Sequence, residues 1–156
     1  LSEKDVRERR NIMPYFQDVN VFYDLLVGVF DELMQDPAMR QKALDSNLLV
    51  KFVYSSPEGE YWVDCTGGDE VKVYPGGPPT EMTPDATMYM ELDTAHLFWC
   101  GKLNLLGALS SGEIKAEGSM PRLLKMLPVI KPAYDVYNNL LRERGLEDLI
   151  IEEEED

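Results

Sequence analysis

Histidine is almost absent from this sequence: His96 is the only one in 156 residues. With no second imidazole, most catalytic designs that need a base near neutral pH are removed. Cysteine is nearly as scarce. Cys65 and Cys100 fall in different predicted elements and lack CxxC or Cys/His spacing, so they mark neither a metal nor a redox centre, and a reducing compartment is expected. Long apolar runs are missing, as is a basic-then-apolar leader, so the expectation is a soluble, cytoplasmic chain without membrane span or secretion signal. Positive charge is in deficit, with 15 Lys plus Arg against 29 Asp plus Glu and a net charge of -14. Such a surface repels nucleic acid and anionic bilayers, and neither is expected as a stable partner.

Chemical motifs are missing as well. The stretch Gly107-Ala108-Leu109-Ser110-Ser111-Gly112 lacks GxSxG spacing and reads as a turn entering a strand. Gly67-Gly68 and Gly76-Gly77 stand outside any GxGxxG or GxxxxGK[ST] frame and read as turns. The carboxylate pairs Asp31/Glu32 and Glu58/Glu60 fall on predicted solvent faces or turns, where a charge has little catalytic value. Oxygen-rich clustering occurs only in the run Glu152 to Asp156, and a flexible tail cannot fix coordination geometry. His96 reads as a surface or rim histidine beside a helix cap. No catalytic residue, metal or cofactor is expected.

What remains is an ordinary globular balance, 44% hydrophobic and 28% charged. At this length one core suffices, so residues 1–150 are read as a single domain and 151–156 as an acidic, disordered tail. Leu1 to Met13 reads as a frayed or helical lead-in. Phe22, Leu25, Leu26, Val29, Phe30, Leu33 and Met34 recur at three- and four-residue steps, predicting an amphipathic helix from about Tyr15 to Gln35. Asp36-Pro37 then reads as N-cap and first position of a short helix to about Leu44. The period next changes to two. Leu49 to Ser56 and Glu60 to Cys65 flank the turn Ser56-Pro57-Glu58-Gly59, where glycine is expected to take the positive φ, and predict a hairpin. A third strand, Val71 to Tyr74, precedes a Pro/Gly loop to Pro84, and Thr87 to Leu92 predicts a fourth. Asp93 is read as the cap of a helix from Thr94 to Cys100 ended by Gly101. A helical turn at Leu103 to Leu109, a strand Glu113 to Glu117 and a helix Pro121 to Leu127 follow. Pro128 and Pro132 are read as breaks before a last helix, Ala133 to Arg144. Strands bracketed by helices predict an α+β fold, a mostly antiparallel sheet of about five strands covered on one face.

Sulfur and aromatics are plentiful: eight Met, eight Tyr, five Phe and two Trp. Methionine adapts to irregular volumes, so Met34, Met82, Met88, Met90, Met120 and Met126 are candidates either for ordinary core or for a soft ligand lining. The sequence around them decides between these. Gly101-Lys102-Leu103-Asn104, the run from Ala108 through Ser110-Ser111-Gly112-Glu113-Ile114-Lys115 to Glu117-Gly118-Ser119-Met120, and Leu123-Leu124-Lys125-Met126-Leu127 together resemble the sterol carrier protein type 2 domain family. Pro84-Asp85-Ala86-Thr87-Met88-Tyr89-Met90 is similar to that family's penultimate strand, and the resemblance extends over about Val21 to Tyr137.

The resemblance implies an apolar tunnel for a fatty acid, acyl-CoA, sterol or other lipid between sheet and helices, with no catalytic residue. On matching positions, Leu123, Leu124, Met126 and Leu127 would wall it, and Met88, Met90 and Ile114 would floor it. Leu97, Phe98 and Leu103 would close one side, Met120 would add to the lining, and the last helix with Tyr134 and Tyr137 would be the lid. Residues 101 to 132 carry a local excess of base, and Lys102, Arg122, Lys125 and Lys131 are expected near the mouth, facing a lipid headgroup. Peroxisomal members of the family end in a small-basic-Leu address, whereas this sequence ends Glu155-Asp156, so peroxisomal residence is not expected. The expected function is non-enzymatic binding and carriage of an apolar ligand. The alternative is an accessory protein of lipid or isoprenoid-quinone metabolism that uses the same fold to bind a lipid-metabolising enzyme.

Overall fold

The computed structural model describes residues 14–152. The predicted lead-in at Leu1 to Met13 and the end of the acidic tail lie outside them. Helix α1 (Val19–Leu33) starts where the Asp18 carboxylate accepts the Asn20 amide at 2.9 Å, and it buries Phe22, Leu25, Leu26, Val29 and Leu33 along one face. Helix α2 (Pro37–Ser46) begins as expected: Asp36 accepts the amides of Ala38 and Met39, and Pro37 occupies the first turn, where its missing N–H is not needed. Asn47, at φ 50°, ends it in the left-handed conformation.

Strands β1 (Leu49–Ser55) and β2 (Gly59–Asp64) form the predicted hairpin. Its glycine works differently from the expectation. The positive φ falls on Ser56, at 54°, while Gly59 opens β2 opposite Tyr54. A Cβ on Gly59 would stand 2.5 Å from the Tyr23 hydroxyl, so the residue is small because α1 lies against the hairpin there. Strand β3 (Lys72–Pro75) pairs with β2, and β4 (Ala86–Glu91) returns across the sheet to pair with β1. Strand β5 (Lys115–Gly118) closes the order β3-β2-β1-β4-β5. The sheet is mixed rather than purely antiparallel, because β1 and β4, two of its three inner strands, run parallel. Residue alternation reports which face a side chain takes but not the direction of the neighbouring strand.

Register sorts the two faces. Val50, Tyr54, Tyr61, Val63, Met88 and Met90 point into the core, whereas Lys51, Trp62, Tyr74, Thr87, Glu117 and, one row on, Tyr89 and Lys115 share the other face. There Trp62 is held by its indole N–H donating to Glu60 at 2.6 Å and by the Lys51 ammonium 5.4 Å above its ring.

Helix α3 (Leu92–Trp99) follows β4 without a loop. Asp93 is not its cap. Glu91 holds that position without capping the helix through its side chain, and Asp93, in the first turn, instead accepts the Tyr15 amide at 2.9 Å. Helix α4 (Leu105–Ser111) is capped by Asn104, and α5 (Met120–Leu124) is one short turn. Helix α6 (Leu127–Glu143) overturns the expected breaks at Pro128 and Pro132. Pro128 sits in its first turn, and the backbone continues through Pro132 because Val129 and Ala133 on either side are buried and hold the helix to the core. A 3₁₀ turn, Glu147–Leu149, follows Gly145, and Ile150 and Ile151 pack against the core. No helix among the described residues is long and apolar enough to cross a membrane.

Candidate functional site

Two small apolar cavities lie between the sheet and the helices. The first, about 50 Å³, is bounded by Phe30, Leu33 and Met34 of α1, by Val50 and Phe52 of β1, and by Met126, Val129 and Ala133 around the start of α6. The second, about 30 Å³, lies over β4, with Met88 and Met90 below it, Phe98 of α3 beside it, and Leu127 above. Phe52, Trp99, Leu123 and Ile130 border both, so these four side chains form the partition between them. An apolar cavity of ~150 Å³ accepts a benzene ring. Neither space holds a long chain as it stands, and the enclosed volume is divided where the resemblance implied one tunnel. Both lie under α5 and the first turns of α6.

Several expected lining residues meet here. Met88, Met90, Phe98, Ile114, Leu123 and Leu127 line the second cavity, and Leu123 and Met126 line the first. Leu103, Met120, Leu124 and Tyr134 are half-buried beyond these walls, Tyr134 with its ring edge-on to Phe98 at 5.9 Å. Leu97 is buried on α3 and lines neither cavity. Tyr137 also lines neither: it is fully buried against Phe22 of α1 and anchors the second half of α6. Of the lining from α1, α2 and β1, the sequence reading names only Met34, as a candidate for core or ligand lining. The signals for this lining were present in the helical period of Phe30, Leu33 and Met34 and in the strand period of Val50, Phe52 and Tyr54.

The basic residues differ among themselves. The Arg122 guanidinium donates to the carbonyls of Ser46 and Asn47, both at 3.0 Å, and stands 3.9 Å from Asp85, tying α5 to the turn between α2 and β1. Lys102 is half-buried, and Lys125 and Lys131 are exposed. None of the four lines either cavity.

His96 is a correction to the surface reading: it is fully buried. Its Nε2 is 2.6 Å from the Leu149 carbonyl, which only accepts, so Nε2 carries the proton; in the neutral ring Nδ1, 2.7 Å away, accepts from the Tyr137 hydroxyl. Both ring nitrogens are thereby spent on joining α3, α6 and the 3₁₀ turn. Cys65 and Cys100 are both buried thiols without a disulfide. Burial pushes Cys65 up to about 11, with Asp64 adding to the rise, and Cys100 up to about 12, so neither is a thiolate at neutral pH. Among the described residues no group of three His, Cys, Asp or Glu side chains comes together that could hold a metal ion.

A small α+β domain whose mixed five-stranded sheet and overlying helices enclose apolar space is the class that the fold defines. The chain belongs to the SCP-2 sterol transfer family, whose sequence model matches residues 30–131. Solved structures agree on the fold. Sterol carrier protein 2 from Yarrowia lipolytica, in its apo form, superposes with a TM-score of 0.59 at 14% identity, covering 74% of this chain and 91% of that one. The sterol carrier protein domain 2 of Helicoverpa armigera gives 0.58 at 22% identity, covering 74% and 88%. A ubiquinone synthesis protein, UbiJ-SCP2, gives 0.50 at 15% identity, covering 69% and 88%. No curated protein matches the chain at the level taken as significant.

Proposed function

We propose that this chain is a non-enzymatic carrier that takes the hydrocarbon part of a lipid into the space between its sheet and helices. The observation that carries this reading is the pair of apolar cavities that share Phe52, Trp99, Leu123 and Ile130 in their walls. Rotation of these side chains, with an outward shift of the one-turn helix α5, joins the two spaces into one elongated chamber. Removing hydrocarbon from water supplies ~0.8 kcal/mol for each methylene, so even a chain of modest length drives such an opening. Membership of the SCP-2 sterol transfer family supports the same reading.

The test is organic extraction of the purified protein followed by mass spectrometry, together with titration of the delipidated protein with an apolar fluorescent dye. A carrier yields lipid near one mole per mole, or binds the dye saturably at one site, and Ile130→Trp, which fills the partition, lowers dye affinity at least tenfold. Protein that is empty as isolated and shows no saturable uptake would sink the proposal.

A second reading, an accessory protein of lipid or isoprenoid-quinone metabolism acting through a partner enzyme, is favoured by the similarity to the ubiquinone synthesis protein. On that reading a complex with the enzyme forms with equal affinity whether or not the cavities have been blocked by Ile130→Trp.

A further inference from the structure

Among the described residues, Tyr54 is the one around the second cavity whose polar atom is buried without a partner; the Trp99 indole N–H is the other donor of that lining. Tyr54 lines the cavity from β1, is 3% exposed, and its hydroxyl has no hydrogen-bond partner among the described residues. Neighbouring tyrosines are employed differently. The Tyr23 hydroxyl accepts the Glu60 amide at 2.9 Å, the Tyr137 hydroxyl bonds His96, and Tyr61, whose hydroxyl is also unpartnered, lines neither cavity. A buried hydroxyl without a partner opposes folding, and phenylalanine would fill the same space without that penalty. Burial, with Tyr61 and Tyr23 adding to it, holds the Tyr54 phenol well above its ordinary range, so it remains an O–H donor throughout the physiological range.

Tyr54 also borders a polar opening at the β1–β2 hairpin, lined by Ser55, Glu58 and Glu60, but within the second cavity the rest of the lining restricts what a donor can meet. Apart from the Trp99 indole N–H, a neutral donor bordering both spaces, the other residues around the second cavity are aliphatic, aromatic or thioether side chains, and those around the first are likewise apolar except for the neutral thiol of Cys65. A carboxylate or phosphate drawn into either space would be an unpaired charge in a dry surrounding. A neutral acceptor meets no such obstacle.

We propose that the ligand is an uncharged lipid bearing a hydrogen-bond acceptor, a ketone, ester, quinone or hydroxyl oxygen, which the Tyr54 hydroxyl binds in the second cavity while the tail passes Phe52 and Trp99 into the first. This rests on the carrier reading above and narrows it: the polar end is recognised inside, and anionic lipids are the disfavoured class.

The experiment compares 2-tridecanone, n-tridecane and laurate at pH 8 as competitors of a bound apolar dye, in the wild-type protein and in Tyr54→Phe. The wild type should bind the ketone about tenfold more tightly than either the alkane or the carboxylate, and Tyr54→Phe should remove the ketone's advantage while changing alkane affinity less than twofold. The unliganded variant should melt at the same temperature as the wild type or higher, since the substitution removes only an unpaired hydroxyl. A ketone advantage that survives in Tyr54→Phe, a laurate affinity equal to that of the ketone, or a lower melting temperature of the variant would each overturn the proposal. Alkane uptake without ketone preference removes this inference and leaves the carrier reading standing; failure of all three compounds to displace a dye, or of the dye to bind, removes both.

Discussion

His96 illustrates how little residue type says about role when one side chain serves three elements at once. Its ring receives the Tyr137 hydroxyl on one side and donates to the Leu149 carbonyl on the other, so α3, α6 and the 3₁₀ turn meet at a single imidazole. Tyr15 and Phe16 pack against the same ring, with centroids 4.7 Å and 5.3 Å away, bringing in the segment before α1. Truncation therefore leaves a buried hydroxyl and a carbonyl without their partner and opens a void. His96→Ala should lower unfolding free energy by roughly 3–5 kcal/mol, read by urea denaturation, the sum of an unmet polar pair and a cavity. A loss below about 1 kcal/mol would mean that the packing around the ring closes without it. Nothing in the sequence separates this histidine from an exposed one. Burial of the helix after β4 on nearly all sides depends on the segments around Tyr15 and Leu149, both far from it along the chain.

At the level of elements, α6 is where local preference and packing disagree. Pro132 has no N–H to give the carbonyl four residues earlier, and its ring crowds that carbonyl, a combination that costs up to ~3 kcal/mol in a helix interior. The proline is exposed, whereas Val129, Ala133 and Tyr137 on the buried face secure the helix. Pro132→Ala should therefore raise stability by about 1–3 kcal/mol in denaturant titrations, because the ring it removes faces solvent and the buried face stays as it is. An unchanged or lower stability would show that the helix is fixed by packing strongly enough to relieve the proline's strain. The same conflict explains what the sequence disclosed. α1 was legible from its hydrophobic period, though its start at the Asp18 cap was not, α2 was legible from the Asp36-Pro37 cap, and the hairpin was legible because alternation and turn residues agree. Proline rules ended α6 too early since they weigh only the local backbone. The parallel pairing of β1 with β4 stayed hidden because both directions leave the same residues facing inward. For the candidate site, the floor and one wall were legible through the family resemblance, including Met88, Met90, Phe98 and Leu123. The opposite wall from α1 required knowing which helix the sheet faces.

Taken as a whole, the molecule keeps several weak acids in its interior while its surface carries the charge. Burial lifts the thiols of Cys65 and Cys100 from their ordinary value of 9.0 to about 11 and about 12. It also lifts the phenols of Tyr54, Tyr61 and Tyr137 above 10.0, with neighbouring acidic groups adding to the rise. All five shifts have the same sign. Between its unfolded and folded value each group holds its proton in the native state and loses it on unfolding, so stability falls as pH rises through that window. The contribution is complete below pH 9.0, begins to be lost there as unfolded thiols ionise, and declines further above 10.0 as the tyrosines join. Urea midpoints should thus show no loss from these groups between pH 7 and about 8.5 and should drop steadily above 9. Replacing both cysteines with alanine should remove the first part of that decline and move its onset toward pH 10, because the phenols alone remain. The carrier reading adds a further expectation. A neutral ligand in the cavities reports no charge of its own, so saturating 2-tridecanone should raise every midpoint while leaving the onset of the alkaline decline in place. If the ligand instead moves that onset, it alters the protonation of the acids that line the cavities, Cys65 in the first and Tyr54 in the second.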